Sequence, residues 1–319
     1  MDIIEIKKIE KKMDTKNIYL LNESKFNMKK YLERVSRNIG WISKEEQIML
    51  RNTTVGIAGC GGMGGLIAVT LLRLGVGTIK IADNDSYEIS NINRQSGANA
   101  KTIGKSKSIE TASQLRKIST DLNIHIYPMG ITKESVEKFV LGCDFIFDEI
   151  EFWAIGSRIL LHDVCHKYKV DFLNCNTVGF QSNLFYFNSL SEKLSSYINL
   201  SQADAFIFEE NFKQLKIDLA EKKKMLELIT KAFVPNIPTY GKFNDGTPIE
   251  SFVIEKILLT NNASILSTNP VFSCGLVCNF FITIILRYSG TNRKVKYPPL
   301  FPSYITIDST KLFSKIIKR

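Results

Sequence analysis

Residues 55–95 contain the sequence feature that most constrains the fold of this chain. The apolar run Val55–Ala58 enters a glycine-rich turn, Gly59-Cys60-Gly61-Gly62-Met63-Gly64, and a helical pattern follows. Glycines allow a sharp turn close to a phosphate, and the free N–H groups at the start of the next helix favour an anion. A second apolar run, Thr78–Ala82, ends on Asp83, where a carboxylate can bind ribose hydroxyls. The segment therefore predicts a nucleotide-binding βαβ unit.

A polar, cationic cluster follows this unit and narrows the choice of nucleotide. It comprises Ser90-Asn91-Ile92-Asn93-Arg94-Gln95 and the helix start Gly104-Lys105-Ser106-Lys107. A dinucleotide oxidoreductase needs no guanidinium directly after the second strand, whereas a triphosphate needs several cations around it. The cluster favours ATP over NAD or FAD. Two alternatives stay open: an NAD- or FAD-binding oxidoreductase, and a nucleotide-binding protein without catalysis.

Apolar strand patterns alternate with helical patterns through the first 190 residues. Such alternation is typical of a doubly wound α/β fold with a mostly parallel, Rossmann-like sheet, which binds its ligands at the carboxyl ends of the strands. Glu209–Phe233 is predicted to be one charged helical stretch that ends before Pro235, and 240–246 to be a polar loop. The strands are predicted at 55–58, 78–82, 124–127, 144–147, 172–175 and 184–187, and the helices at 45–50, 62–74, 105–116, 132–141 and 153–167.

The pattern predicts an N-terminal arm, residues 1–33, and a single domain over residues 34–319. Within the domain the alternation stops after Asn188, and residues 189–268 form a crossover segment. The most apolar run, 271–287, contains Ser273 and Asn279 and follows the helix-starting pair Asn269-Pro270. We expect it to be a buried or subunit-interface helix rather than a membrane span.

Composition fits an ordinary globular enzyme. The chain has 319 residues, a formal charge of +10 and 44% hydrophobic residues, and its lysines are scattered rather than clustered. Six cysteines lie singly or in the pair Cys274 and Cys278, without a Cys-x-x-Cys motif, so zinc is not expected. Unpaired buried thiols and a charged N-terminus without a signal peptide favour the cytoplasm.

The ordered motifs resemble the ThiF/MoeB/HesA family, the bacterial relatives of ubiquitin-activating enzymes. The matching elements are the glycine turn, Asp83-x-Asp85, the Ser90–Gln95 cluster and the Gly104-x-x-Lys107 step. The resemblance implies the fold of those enzymes, with a C-terminal crossover segment and helical additions. It also implies ATP-dependent adenylation of a carboxylate, with release of pyrophosphate.

The resemblance implies a role for each matching residue. Arg94 and Lys107 would act on the phosphates as catalytic cations, and Arg37 would reach the terminal phosphates across a homodimer interface. Asn91 would bind phosphate, and Asp83 the ribose. The full set expected to bind the nucleotide is Gly59, Gly61, Gly62, Gly64, Asp83, Asp85, Asn91, Arg94, Gln95 and Lys107.

Two departures from the family pattern concern the metal and the cysteine. The position of the family's Mg²⁺-binding aspartate is Glu151, a hard oxygen ligand with a longer reach, and Asp148 is a second candidate. No cysteine lies between Cys175 and Cys274. We therefore expect the enzyme to stop at the adenylate or to pass it to an external nucleophile, without a thioester on its own crossover segment.

The expected substrate is the C-terminus of a ubiquitin-like or sulfur-carrier protein, or of a ribosomally made peptide. The sequence shows no nucleic-acid recognition motif, although a transfer-RNA substrate stays open because such relatives exist in the family. The sequence does not identify the acyl substrate or the final acceptor.

Overall fold

A computed structural model describes residues 18–23, 26–214, 216–287 and 296–319. Residues 1–17 of the predicted arm lie outside this range. The nine strands of the described chain are β1 Tyr19–Leu21, β2 Thr54–Ala58, β3 Thr78–Ala82, β4 Asn123–Tyr127, β5 Phe145–Asp148, β6 Asp171–Val178, β7 Gln181–Phe187, β8 Tyr304–Asp308 and β9 Phe313–Ile317.

Eleven α-helices of the described chain surround the sheet. They are α1 Met28–Arg34, α2 Lys44–Asn52, α3 Gly62–Leu74, α4 Lys107–Ile118, α5 Val136–Val140, α6 Ile155–Tyr168, α7 Leu194–Tyr197, α8 Gln202–Lys213, α9 Leu219–Phe233, α10 Ile249–Thr260 and α11 Thr268–Arg287. Short 3₁₀ turns cover Ser36–Asn38 and Ile89–Asn91.

All nine strands join one sheet, in the order β1-β4-β3-β2-β5-β6-β7-β8-β9. The five strands from β4 to β6 are parallel, while β1 and the β7–β9 end pair antiparallel to their neighbours. Helices α2, α3, α4 and α11 cover one face of the sheet, and α5, α6, α8 and α9 cover the other. The predicted doubly wound α/β class is confirmed.

The parallel strands form where apolar residues run without interruption, since both of their faces are buried. β5 is an example: Phe145, Ile146 and Phe147 are each fully buried. Parallel strands end at the same edge of the sheet, so Ala58, Ala82 and Asp148 bring their following loops together. This edge holds the candidate site.

The apolar run predicted at 271–287 is part of α11, which begins three residues earlier. Its length and composition satisfy the criteria for a candidate membrane span, and 56% of its most apolar window is buried inside the protein. The helix packs against α3 and β6, and Phe281 lies against Phe145 and Phe147. Its buried side is therefore part of the core.

Three parts of the chain differ from the prediction. The stretch 209–233 is two helices, α8 and α9, because Asp218 accepts a hydrogen bond from the Glu221 N–H and caps a new helix. Residues 19–21 add an edge strand beside β4, within the segment predicted as an arm. The third part is not predicted at all: it comprises α10, β8 and β9.

Candidate functional site

A large cleft opens at the carboxyl ends of the parallel strands. Its volume is about 2960 Å³, and it extends from the glycine turn to the helices of the crossover segment. Of the predicted site residues, those that line it are Gly59, Gly61, Gly62, Gly64, Asp83, Asp85, Asn91, Arg94, Gln95, Lys107 and Glu151. The structure thus brings together the whole predicted nucleotide-binding set, but neither Arg37 nor Asp148 lines the cleft.

At two positions of the glycine turn the surrounding backbone leaves no room for a side chain. Gly59 has φ +100°, and a Cβ there would lie 2.1 Å from the Glu149 carbonyl oxygen. A Cβ on Gly64 would lie 1.8 Å from the Gly59 carbonyl oxygen. The backbone of the turn therefore packs directly against the first turn of α3 and the end of β5. The residues at the start of α3 line the cleft, and the first N–H groups of a helix lack intrahelical partners and favour an anion.

Asp83 connects the glycine turn to the end of β3. Its carboxylate accepts hydrogen bonds from the Cys60 N–H at 2.6 Å and the Asp85 N–H at 2.8 Å. Burial raises the pKa of Asp83 to about 6, against the opposing effect of the Lys107 ammonium. The carboxylate has further lone pairs that can accept ribose hydroxyls.

Lys107 begins α4 and pairs with Asp85, with 3.0 Å between Nζ and Oδ2. The lysine is buried, whereas the aspartate side chain is 59% exposed. Burial lowers the pKa of Lys107, but the nearby Asp83 and Asp85 carboxylates raise it more, so the net shift is upward. Lys107 is therefore a fixed cation beside the predicted ribose carboxylate.

The cluster after β3 lies on the 3₁₀ turn Ile89–Asn91 and its continuation. Asn91 Oδ1 accepts from the Glu88 N–H at 3.1 Å. Arg94 Nη1 donates to the Ser90 carbonyl at 3.1 Å and to Asn93 Oδ1 at 3.0 Å. These contacts leave the rest of the guanidinium available to an anion in the cleft.

Asp148 does not fit its predicted role as a metal ligand. Its carboxylate is fully buried and bonds to Arg158 Nε at 3.0 Å and to His162 Nε2 at 2.8 Å. Burial alone would raise the pKa of Asp148, but Arg158 and His162 outweigh this and lower it. The aspartate side chain points to α6, beneath the cleft, and forms a structural ion pair.

Glu151 is the better placed of the two carboxylates. Its side chain is exposed in the cleft and accepts a hydrogen bond from the Phe152 N–H at 3.1 Å. Its charge also contributes to the raised pKa of Lys107. One such carboxylate fits Mg²⁺, which usually takes its remaining ligands from phosphates and water. Among the described residues, no group of three or more His, Cys, Asp or Glu side chains forms a metal cluster.

Arg37 lies on the exposed 3₁₀ turn Ser36–Asn38, away from the cleft. Its predicted action in trans, in the cleft of a second subunit, stays a prediction.

Glu149 is a cleft residue beside the predicted metal candidates Asp148 and Glu151, outside the predicted nucleotide-binding set. Its Oε1 atom is buried and has no hydrogen-bond partner among the described residues. Burial, reinforced by the neighbouring Asp148, raises the pKa of Glu149 well above its ordinary value and favours the neutral acid. A sequence signal was present, because Glu149 directly follows β5, at the edge where ligands bind.

The crossover segment supplies the other half of the cleft, and it is anchored to the nucleotide half. Asn93 Nδ2 donates to the Ile265 carbonyl at 3.1 Å, and just after the segment the Pro270 ring of α11 lies against Gly62. Helices α9 and α10 line this half with both apolar and charged side chains. No sequence motif marked these positions.

All six cysteines are buried and unpaired as disulfides. Cys175 alone of the six lines the cleft, and burial raises the pKa of its thiol. Cys274 and Cys278 face one another on α11 and share a hydrogen bond, which lowers the pKa of Cys274 to about 7 and raises that of Cys278. Because these two thiols are 5% and 3% exposed, substrate cannot reach them without movement of α11.

Comparison with curated proteins finds partial matches. The chain is 36% identical over 144 residues to the tRNA threonylcarbamoyladenosine dehydratase of Bacillus subtilis, covering 45% of this chain and 56% of the relative. It is 29% identical over 119 residues to the adenylyltransferase and sulfurtransferase MOCS3 of Dictyostelium discoideum, covering 37% of this chain and 28% of the relative. The matches therefore span about half of one relative and about a quarter of the other.

Solved structures share the fold over most of the chain. PaaA superposes with a TM-score of 0.61 at 17% identity, covering 92% of this chain and 85% of PaaA. Escherichia coli MccB, solved with ATP, superposes with a TM-score of 0.56 at 18% identity, covering 86% of this chain and 65% of MccB. The model of the ThiF family matches residues 35–311. The predicted resemblance is confirmed, and this chain belongs to the ThiF family.

Proposed function

We propose that this protein adenylates the C-terminal carboxylate of a peptide or small carrier protein. The observation that carries the proposal is the meeting, in one cleft, of the glycine turn, Asp83 and the cations Arg94 and Lys107. Family membership and the fold shared with MccB, which was solved with ATP, support ATP as the nucleotide.

In the proposed reaction a carboxylate oxygen of the substrate attacks the α-phosphorus of ATP. A new P–O bond forms, the bond between the α-phosphorus and the oxygen bridging to the β-phosphate breaks, and pyrophosphate leaves with the bonding electrons. The backbone N–H groups at the start of α3 hold the phosphates, and Asp83 accepts the ribose hydroxyls. Arg94 and Lys107 stabilise the negative charge that grows on the bridging oxygen.

Glu151 is the residue that would hold Mg²⁺ in this cleft. When bound, the ion supplies positive charge to the phosphate oxygens. Asp85 already pairs with Lys107 and keeps that cation at the entrance to the phosphate site.

The two alternatives differ in how well they explain the site. An NAD- or FAD-linked oxidoreductase leaves the cations Arg94 and Lys107 without a task in the reaction. A binding protein without catalysis would explain the cleft equally well, and it differs in one measurable property: it would not exchange pyrophosphate into ATP.

The decisive experiment is ATP–pyrophosphate exchange with labelled pyrophosphate and Mg²⁺, in the presence and absence of peptides with free C-termini. Exchange that depends on a free carboxylate and disappears with C-terminally amidated peptides supports adenylation. Binding of ATP without exchange for any carboxylate, including carrier proteins encoded beside the gene, contradicts it.

The exposed Arg37 extends the proposal to a homodimer in which each subunit supplies this arginine to its partner's cleft. Light scattering measures the mass in solution. A fully active monomer would rule out action in trans.

A further inference from the structure

Helix α10 exposes an unusual amount of apolar surface for a helix inside a folded domain. Seven of its twelve residues are apolar, yet none of the twelve is buried. The side chain of Phe252 is 48% exposed, and that of Leu259 is 67% exposed. An amphipathic helix normally buries its apolar stripe against the core, and a contiguous exposed patch marks an interaction site.

Most of this apolar surface faces the cleft. Ile254, Ile257 and Leu258 pack partly against the core, whereas Phe252 and Val253 line the cleft without joining the core cluster. Other walls of the cleft add further apolar side chains: Phe152, Val178, Phe180, Val234, Ile237, Tyr240 and Phe243. These side chains and those of α10 form an apolar stretch of the cleft wall, called the groove below, and charged side chains such as Glu227 and Lys256 line the cleft around it.

The groove is continuous with the phosphate site. The segment after α10 contacts the nucleotide motif through the bond from Asn93 to the Ile265 carbonyl, and it contacts the β6–β7 hairpin through the bond from Asn269 to the Gly179 carbonyl. The C-terminal end of α10 itself is held by Lys222 of α9, which donates to the Leu258 carbonyl and to Asn261. A chain whose carboxylate lies at Arg94 can thus extend from there along α10.

The charge of this region identifies the class of occupant. Residues 189–268 contain ten acidic and nine basic side chains, although the whole chain carries a formal charge of +10. A groove for nucleic acid requires an excess of cations to neutralise phosphates. The crossover segment has none, and apolar side chains are what its groove can bury.

We propose that α10 binds apolar side chains of a peptide substrate's C-terminal tail, upstream of the reacting carboxylate. This inference rests on the proposed function, since it places the tail by its carboxylate. It assigns the substrate to a class: tails with bulky apolar residues close to a free C-terminus, rather than tails made only of glycine and small polar residues.

The test uses fluorescein-labelled decapeptides that all end in Gly-Gly with a free carboxylate. One series carries a Leu-Phe-Leu triplet at successive distances from the C-terminus, and its matched series carries Ser-Ser-Ser at the same positions. Binding is measured by fluorescence anisotropy without ATP, and adenylation by pyrophosphate exchange. We expect one register of the apolar series to bind at least about tenfold more tightly than its serine counterpart.

Two variants of the same helix locate the contact. Val253→Gln removes an apolar side chain from the cleft wall, whereas Leu259→Gln changes a residue that is 67% exposed and does not line the cleft. Glutamine is a good helix former, so both variants keep the helix. We expect Val253→Gln to weaken binding of the apolar peptide about fivefold to tenfold, and Leu259→Gln to change it less than twofold.

The outcomes separate this inference from the proposed function. Equal binding of the two peptide series, or equal effects of the two substitutions, overturns the role of α10 even if exchange proceeds. Selective binding that depends on Val253, without any exchange, supports the groove and contradicts adenylation. Preferential binding of a transfer RNA at the same surface, weakened by Val253→Gln, also overturns the peptide assignment.

Discussion

The two halves of the cleft are built on different principles. In the nucleotide half, the backbone packs so closely that Gly59 and Gly64 have no room for a side chain, and Asp83 is buried with both carboxylate oxygens hydrogen-bonded. In the crossover half, α10 has no buried residue. One half is assembled before any ligand arrives, whereas the other leaves apolar surface that a ligand can cover.

The contrast indicates that the two halves suit different kinds of ligand. A preorganised backbone and fixed charges suit a ligand that is the same in every reaction cycle, such as a nucleotide, because no reorganisation is needed when charge develops. An exposed apolar surface can bind any apolar group that covers it, so a few substitutions can change which ligand it prefers. Substitutions in the nucleotide half should therefore reduce activity severely, whereas substitutions in α10 should change the affinity for the peptide by smaller steps.

The largest effect is expected at the rim of the nucleotide half. Arg94→Ala should lower pyrophosphate exchange by about 10²–10³-fold, because it removes a preorganised donor at the site of developing charge. Arg73→Ala is the control, since Arg73 is exposed at the end of α3 and does not line the cleft. Wild-type exchange in a folded Arg94→Ala protein would show that the cleft binds its phosphates in another way.

The second, smaller effect is a loss of stability when a side chain is added to the glycine turn. Gly64→Ala places a Cβ 1.8 Å from the Gly59 carbonyl oxygen, and we expect this overpacking to cost about 1–3 kcal/mol in the free energy of unfolding. At Gly65, the next residue of α3, the nearest atom to a new Cβ is 3.6 Å away. Gly65→Ala should then be neutral or stabilise the helix by up to about 1 kcal/mol.

Urea denaturation of the two alanine variants and the wild type measures this difference. If Gly64→Ala unfolds at the same urea concentration as the wild type, the nucleotide half is more adaptable than its packing indicates, and the contrast between the two halves weakens.

The smallest effect concerns the pH dependence of nucleoside binding. Asp83 has a pKa of about 6 in the free protein, raised by burial, and only its ionised form accepts hydrogen bonds from both ribose hydroxyls without competition from its own proton. Affinity should be constant above this pKa and fall as the pH drops through it, by up to about tenfold per pH unit.

Adenosine is the suitable probe because it has the ribose but no phosphate that titrates in this range. Calorimetry between pH 5 and pH 8 should show the decline for the wild type and a weaker, flat affinity for Asp83→Asn. A decline that persists unchanged in the asparagine variant would assign the titration to another group.

Much of the nucleotide half could be predicted from the sequence because its signals are local. The turn, Asp83 and the Ser90–Gln95 cluster lie within about 40 residues, and their order along the chain fixes their order along the sheet edge. The helix Gly62–Leu74 has the predicted bounds, since glycine punctuates both of its ends.

The predictions that failed concern distant partners or weak local signals. Asp148 was a second candidate for the metal because it lies near Glu151 in the sequence, but Arg158 and His162 on α6 bind its carboxylate. Strands β8 and β9 were missed because they lie more than 100 residues beyond β7 and are only five residues long, and because β9, at the edge of the sheet, is mostly exposed. Helix α10 has apolar residues around most of its circumference, so no clear stripe separated it from a loop or a strand.

The sequence by itself determined the fold class, the family and the set of residues that meet at the carboxyl ends of the strands, because all three depend on periodicity and on short motifs with fixed geometric consequences. Only the tertiary structure decided which carboxylate faces the cleft and which apolar helix remains uncovered. Both depend on burial, a property of the assembled molecule: Asp148 and Glu151 are three residues apart, yet one lies beneath the cleft and the other is open to it.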